Sequence, residues 1–303
     1  MNAPQAARIA ITGASGLIGT ALTQALQRDG REVHSLVRTP RGAPREIAWD
    51  PDAGHIDAAA LEGFDAVVHL AGENIGQRWT PAVKERILES RVRGTQLLAG
   101  ALASLRQPPE VLVSASAVGY YGDRGDEPLD ESAPAGNDFL AEVAQAWEAA
   151  AIPAANAGIR VVHPRSGMVL SPHGGALARM LVPFRLGLGG QMGSGHQWTS
   201  WIALDDEVAA IRFLVDTPIL TGPVNVTSPR PVTNAEFTRV LGHVLRRPTL
   251  MTVPAAALRL AFGEMADRTI LASQRARPVR LLDAGFHFHH PRLEDALRAL
   301  LAP

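Results

Sequence analysis

Two short segments hold the residues with the most chemistry to offer: Thr12-Gly-Ala-Ser-Gly-Leu-Ile-Gly19 and Ser114-Ala-Ser-Ala-Val-Gly-Tyr-Tyr121. The first follows the apolar run Ile9-Ala10-Ile11 and leads into an amphipathic stretch beginning at Leu17. A buried strand, a glycine turn and a helix N-terminus in that order make a cradle for a pyrophosphate. Gly13 permits the turn, Gly16 lets the backbone approach the phosphates, and Gly19 lets the helix pack on its strand. The amides around Ser15, Leu17 and Ile18, with the helix dipole, then hold the negative charge. The spacing is GxxGxxG, and a glycine-rich turn without a ligand is the competing reading. In the second segment Ser114 closes an apolar strand, and Ser116, Tyr120 and Tyr121 lie in the loop beyond it. A serine hydroxyl and a phenol leaving the carboxyl end of a sheet suit gripping a hydroxyl or carbonyl beside a nicotinamide. Two tyrosines that simply pack the loop are the alternative.

Other positions fit around that pair. Val37 and Arg38 end the second apolar run, where sites selective for NAD place a carboxylate against the ribose 2′-hydroxyl. Glu32 stands at the wrong end of that run, so Arg38, with Arg41 nearby, is suited to a 2′-phosphate, or else is a solvated surface arginine. Asp50 is placed to reach an adenine edge, although Asp-Pro also starts plain turns. The run Asp65–Gly72 ends in Leu70, Ala71 and Gly72 before Glu73, small enough to let a dinucleotide lie across its carboxyl end. Arg86 and Arg91 fall on the helix after it, as cofactor contacts or as a charged helix face. Arg165, ending the run from Arg160, belongs beside the nicotinamide.

The elements that must position these residues alternate from residue 8 to about 165. Strands are expected at Arg8–Thr12, Glu32–Val37, Ala66–Leu70, Val111–Ser114 and Arg160–His163, with helices at 17–28, 81–105 and 138–157. Thr80 should cap the second helix, with Pro81 in its first position. This is the pattern of a Rossmann α/β fold, a doubly wound parallel sheet with helices on both faces. Residues 1–165 form the dinucleotide-binding domain, with later segments returning to it. Residues 166–303 form a smaller α/β substrate lobe with a helical cap from about 248. In that lobe Gly187–Gly195 reads as an irregular loop or lid between apolar walls that include Trp198 and Trp201, unless those two are core. Asp205-Asp206-Glu207 reads as an N-cap with acidic first-turn residues, and Asn234–Val244 and Pro291–Leu301 as amphipathic helices.

Composition narrows the function. A net charge of −1 offers no electrostatic case for nucleic acid or an anionic membrane. No run has the length of a membrane span, and the first residues lack the apolar core of a signal peptide, so a cytoplasmic protein is expected. With no cysteine, thiolate chemistry is excluded. His287, His289 and His290 lack a carboxylate pattern that would make them a metal site, so none is expected. The 29 basic residues are 28 arginines and Lys84, and Tyr120 and Tyr121 are the only tyrosines.

With these residues in view, the chain resembles the extended and atypical short-chain dehydrogenase/reductases of the nucleoside-diphosphate-sugar epimerase and dehydratase group. TGASGLIG, HLAG and SASAVGYYG stand in that group's order. HLAGENI, WEAAA, MLVPFRLGLGGQMGSGHQW, NVTSPRPVTNAEF and GFHFHHP resemble more narrowly an epimerase-family subgroup with a short C-terminal domain of uncharacterised role. The resemblance implies a bound NADP(H), a small-molecule substrate, nucleotide-linked or not, and a homodimer as one oligomeric state. It also implies a Tyr-x-x-x-Lys pair on the helix after the serine-tyrosine loop. Here that helix, from Asp138 to Glu148, has neither residue. Either Tyr120 or Tyr121, with Ser116, transfers the proton, or Glu142 does, or the protein has left the usual reaction. The leading expectation is an NADP(H)-dependent oxidoreductase or epimerase acting on a carbonyl or hydroxyl. The alternative is a nucleotide-binding regulator or scaffold, which the resemblance links to cell division.

Overall fold

The computed structural model describes residues 7–302. Its first half runs β1 (Arg8–Thr12), α1 (Leu17–Arg28), β2 (Glu32–Val37), β3 (Glu46–Asp50), β4 (His55–Ile56), β5 (Ala66–His69), α2 (Pro81–Ala103), β6 (Val111–Ser114) and β7 (Ser116–Ala117). It continues with β8 (Pro128–Leu129), α3 (Phe139–Ala149), α4 (Ile152–Asn156), β9 (Arg160–Ser166), β10 (Met168–Leu170), α5 (Gly175–Arg185), β11 (Gly190–Met192), β12 (Trp198–Thr199) and β13 (Trp201–Ala203). The remainder is α6 (Leu204–Asp216), β14 (Gly222–Val226), β15 (Val232–Thr233), α7 (Asn234–Leu245), β16 (Met251–Val253), α8 (Ala255–Phe262), β17 (Arg275–Ala276), α9 (Val279–Asp283) and α10 (Leu293–Leu301).

The main sheet has the order β14-β9-β6-β5-β1-β2-β3-β4 and is parallel except for the β3–β4 edge. Ile9, Ala10 and Ile11 are fully buried because both faces of β1 are covered. One face packs under α1 and α6 through Ile11, Val68, Val113, Val162 and Val226. The other packs under α2 and α4 through Ala10, Val67, Leu112 and Val161. Strand order reverses at β1, which opens a crevice at the carboxyl ends of β1 and β5. Both β14 and α6 belong to this sheet layer, so the chain returns to it after the lobe begins. The small lobe packs α5, α7 and α10 around Leu181, Phe184, Phe237 and Leu297. Among the described residues no helix is long and apolar enough to cross a membrane.

Three local expectations change. The helix expected over 138–157 breaks after Ala149 and restarts at Ile152. Pro153 has no N–H to donate to the Ala149 carbonyl, and its ring would collide with it. Part of the Gly187–Gly195 stretch is the strand β11, paired in parallel with β16. Gly190 is required there, since a Cβ would strike the Met251 carbonyl. The residue capping α6 is Ala203, so Asp205 lies inside the first turn and caps nothing. Thr80, by contrast, caps α2 by accepting from the Val83 amide at 3.3 Å, with Pro81 following.

The ends of β1 and β5 are joined by side chains as well as by their ladder. Thr12 Oγ1 accepts from the amides of Leu70 (3.1 Å) and Ala71 (3.2 Å), which leaves its proton for His69 Nδ1 at 2.7 Å. His69 is therefore the neutral tautomer protonated on Nε2. Burial, reinforced by the nearby Arg91 charge, pulls its pKa down to about 4. Because that value lies below the unfolded one, the contribution of His69 to stability is complete above about pH 6.5 and is lost as pH falls toward 4. Denaturant titrations at pH 7, 5.5 and 4 should show the wild type losing about 3 kcal/mol more than His69→Asn over this range. Equal acid limbs would show that His69 does not stay neutral in the fold.

Candidate active site

The glycine turn after β1 is a site that only glycine can build. Gly13 has φ +68°, and a Cβ on it would lie 2.9 Å from the Ala71 amide nitrogen, in the loop after β5. A Cβ on Gly19 would strike the Gly13 carbonyl, so α1 sits directly against the turn. Gly16 caps α1 with no side chain bonding the first-turn amides, and Ser15 and Gly16 are exposed. The result is a set of backbone donors at the mouth of the crevice with Leu17 and Ile18 half-buried behind them.

The loop after β5 is held from below. Arg91 on α2 donates to the Glu73 carbonyl at 3.0 Å and to the Ile87 carbonyl at 3.1 Å. Ser90 Oγ accepts from the Glu73 amide at 3.0 Å, and the Arg91 guanidinium lies against Gly72 and over the Trp147 ring. Burial lowers the Arg91 pKa to about 10, which leaves it a cation at neutral pH. The structure thus puts Arg91 under the loop Leu70–Glu73, whereas Arg86 is exposed on the outer surface of α2. At the other end of the crevice Val37 is half-buried and Arg38 exposed. Asp50 Oδ1 accepts from the amides of Asp52 (3.0 Å) and Ala53 (3.2 Å), so its carboxylate closes the turn after β3, the second of its two readings.

At the carboxyl ends of β6 and β9 the sequence candidates meet residues that sequence reasoning did not single out. Ser116 Oγ donates to Glu148 Oε1 at 2.7 Å. Arg165, 3% exposed, grips the same carboxylate with Nε at 2.8 Å and a terminal nitrogen at 2.9 Å. Its other terminal nitrogen donates to the Tyr121 hydroxyl at 3.1 Å, which donates in turn to Asn225 Oδ1 at 2.7 Å. Burial alone would lower the Arg165 pKa, but the Glu148 hydrogen bonds and charge outweigh it and hold the arginine above its ordinary value. Burial pushes the Tyr121 phenol up to about 12 against the pull of Arg165. The two tyrosines therefore divide. Tyr121 is fully buried with its hydroxyl engaged on both sides, while Tyr120 is half-buried with its ring 3.4 Å from the Arg165 guanidinium carbon. Ser114 is buried at the end of β6, its Oγ without a partner and its carbonyl accepting from His163 Nδ1 at 3.3 Å.

Glu148 and Asn225 stand in WEAAA and NVTSPR, stretches notable in the sequence only as blocks. Nothing in their local spacing marks either as the partner of a residue far along the chain. Helix α3 carries hydrocarbon where a Tyr-x-x-x-Lys pair is expected by resemblance. Phe139, Leu140 and Val143 pack with Trp79, Val83 and Ile87. Lys84 reaches that helix only to lie 4.4 Å from the Phe139 ring centre and to pair with Glu264 at 3.1 Å. Glu142 is exposed. Trp201 is core, whereas Trp198 is half-buried, donates to Asp126 and lies under Arg275. Of the three histidines, His289 bonds Asp206 at 3.1 Å, and among the described residues no cluster of His, Asp and Glu is arranged to hold a metal.

A doubly wound sheet with a glycine cradle at its switch point defines a dinucleotide-binding protein of the short-chain dehydrogenase/reductase type. The comparisons specify the family. The model of the NAD dependent epimerase/dehydratase family matches residues 9–227, and that of a domain of unknown function matches residues 253–300. The chain belongs to the NAD dependent epimerase/dehydratase family. An epimerase family protein of Mycobacterium bovis is 48% identical over 290 residues, covering 95% of this chain and 96% of its own. The crystal structure of human epimerase family protein SDR39U1 with NADPH superimposes with a TM-score of 0.89 at 38% identity, covering 97% of this chain and 98% of that one. A nucleoside-diphosphate sugar epimerase from Corynebacterium glutamicum gives a TM-score of 0.80 at 40% identity, over 97% of this chain and 58% of that one.

The buried network at the end of β9 yields a stability test. Glu148→Ala leaves Arg165 buried without its counter-ion and should cost about 3–5 kcal/mol. Tyr121→Phe leaves Asn225 and Arg165 each one partner short and should cost about 1–3 kcal/mol. Denaturant midpoints measure both, and values near zero would mean that the network opens to water.

Proposed function

We propose that this chain is an NADP(H)-dependent oxidoreductase or epimerase acting on a carbonyl or hydroxyl of a small substrate. The observation that carries the reading is the cradle at Gly13 and Gly19, where a side chain would collide with backbone from two directions. The residues present fit a dinucleotide: backbone donors at the start of α1 for the diphosphate, and a cation rather than a carboxylate at the end of β2 for the ribose. When bound, the nicotinamide supplies or accepts a hydride.

The chain's own residues then have distinct tasks. The α1 amides hold the phosphate charge, and Arg91 with Ser90 keeps the loop Leu70–Glu73 closed against the cradle. Arg38 forms a charge-assisted pair with the 2′-phosphate. Tyr120 is the phenol left to exchange a proton with the substrate oxygen, since Tyr121 is engaged in holding Arg165. Glu148 and Arg165 set the loop that carries Ser116 and Tyr120. A homodimer completes the reading, on the strength of family resemblance.

A second reading, a nucleotide-bound regulator without turnover, rests on the hydrocarbon face of α3 where the usual acid/base pair is missing. Tyr120→Phe separates the two: turnover on a carbonyl-substrate panel disappears under the first, and cellular activity persists unchanged under the second. The cofactor is tested first. Calorimetric titration should give NADPH about tenfold to hundredfold tighter than NADH, with the preference lost in Arg38→Ala and NADH binding unaltered. Equal affinities in the wild type would remove the 2′-phosphate from the assignment.

A further inference from the structure

Glu207, in the first turn of α6, is 1% exposed and makes one hydrogen bond, from Ser166 Oγ to Oε1 at 2.6 Å. Its Oε2 is buried with no partner. Ser166 is the last residue of β9, half-buried at the carboxyl edge of the sheet, and lies beside Ala117 of the serine-tyrosine loop in the strand register. The Ser166 side chain leaves the sheet on the face opposite to Arg165: one meets α6, the other meets Glu148 on α3.

Among the described residues no charge near Glu207 balances it. Among the elements packed on α6, strands β6, β10 and β13 carry no titratable side chain. On β9, His163 and Arg165 turn to the far face, and Arg160 donates to the carbonyls of Leu214 and Val215 at the other end of α6. The charged groups at the end of α1 lie away from Glu207, where Asp29 pairs with Arg212. Asp206 faces the amides of His289 and His290 and the His289 ring. An ionised carboxylate with a single hydrogen bond in such surroundings is costly, and burial pushes Glu207 up to about 7 even though Ser166 favours the charged form.

The single hydrogen bond then couples one proton to the Ser166 hydroxyl at the carboxyl edge of the sheet. With Glu207 ionised, Ser166 must donate inward and shows only lone pairs to a ligand. With Glu207 protonated, the carboxyl donates to Ser166 Oγ, and the serine proton is free to turn outward. We propose that Glu207 is a positioning residue that, through Ser166, makes the end of β9 a proton-dependent hydrogen-bond donor to the carboxamide oxygen of a bound nicotinamide. This rests on the cofactor reading above. With the diphosphate at β1 and the adenosine toward β2, the nicotinamide half runs the other way along the strand ends, toward β5, β6 and β9.

Binding must then draw a proton onto Glu207. NADPH titrated calorimetrically at pH 7.5, in buffers of different ionisation enthalpy, should show proton uptake by the wild type. Glu207→Gln, a neutral near-isostere of the protonated acid, should show less uptake, and the difference should vanish at pH 5.5. Ser166→Ala keeps the carboxyl but removes the coupling, and should lose the same increment. Adenosine 2′,5′-bisphosphate, which lacks the nicotinamide half, should exchange protons equally with wild type and Glu207→Gln. The wild type should also lose about tenfold more NADPH affinity than Glu207→Gln between pH 6 and 9, as for a shift of about one pKa unit on binding. Equal proton counts for NADPH in wild type and Glu207→Gln overturn the proposal while leaving the cofactor assignment intact. A difference that persists with the bisphosphate overturns it too, by placing the coupling at the adenosine end. Failure of both proteins to bind NADPH at any pH overturns both readings.

Discussion

The carboxyl edge of the sheet at β6 and β9 depends on one buried ion pair, Arg165 with Glu148. A guanidinium at 3% exposure is tolerable only because its counter-charge is held by two short hydrogen bonds and its remaining donor finds Tyr121. The pair ties strand β9 to helix α3, and through Ser116 and Tyr121 it ties both to the loop after β6. Asn225 carries the tie on to the sheet edge β14 and to the carbonyls of Leu129 and Arg277, at 3.4 and 3.0 Å. Four segments far apart in the chain are thereby brought into one geometry, and Tyr120 is left as the phenol packed against the cation at its outer side.

The geometry of the glycine turn is set by steric rather than electrostatic means. Gly13 and Gly19 let the backbone of β1, α1 and the loop after β5 come close together, and the Leu70 and Ala71 amides donate to the Thr12 hydroxyl across that approach. The contrast fits the proposed function. A phosphate cradle needs exposed backbone donors that nothing else occupies, whereas a proton-transfer site needs side chains whose charge and orientation are fixed by buried partners. The ionisable groups beneath the sheet edge follow that division. His69 is held neutral by burial, Arg91 and Arg165 keep their charge, and Glu207 lies near the balance point.

The helix α3 shows how a familiar framework is emptied of a familiar mechanism. Phe139, Leu140 and Val143 bind it to α2 through Trp79, Val83 and Ile87, so its inner face is a hydrophobic joint. Lys84 is drawn to the same joint and used as an anchor for Glu264 in the C-terminal segment. Positive charge beside the serine-tyrosine loop comes instead from Arg165, an arginine that keeps its proton.

Periodicity and turn chemistry were enough to read most of the fold. Continuous apolar runs such as Ile9–Ile11 mark strands covered on both faces, and Thr80-Pro81 marks a helix start, because these are local constraints written within a few residues. The glycine cradle was legible for the same reason. Where the helix expected through residue 157 breaks, Pro153 was visible but its effect depends on what the surroundings allow. The paired strand Gly190–Met192 was hidden because its partner begins at Met251, and a glycine that admits a neighbouring backbone looks like a glycine in a loop. The partners of Glu148, Asn225 and Glu207 were unreadable, since each finds its partner on another element and is set by the loss of water around it. The sequence by itself determined the doubly wound sheet, the glycine turn after β1 and the absence of a Tyr-x-x-x-Lys pair. Only the tertiary structure decided which tyrosine is engaged, which carboxylates are buried and which arginine they hold, because burial and pairing are properties of surfaces that meet only after the chain has folded.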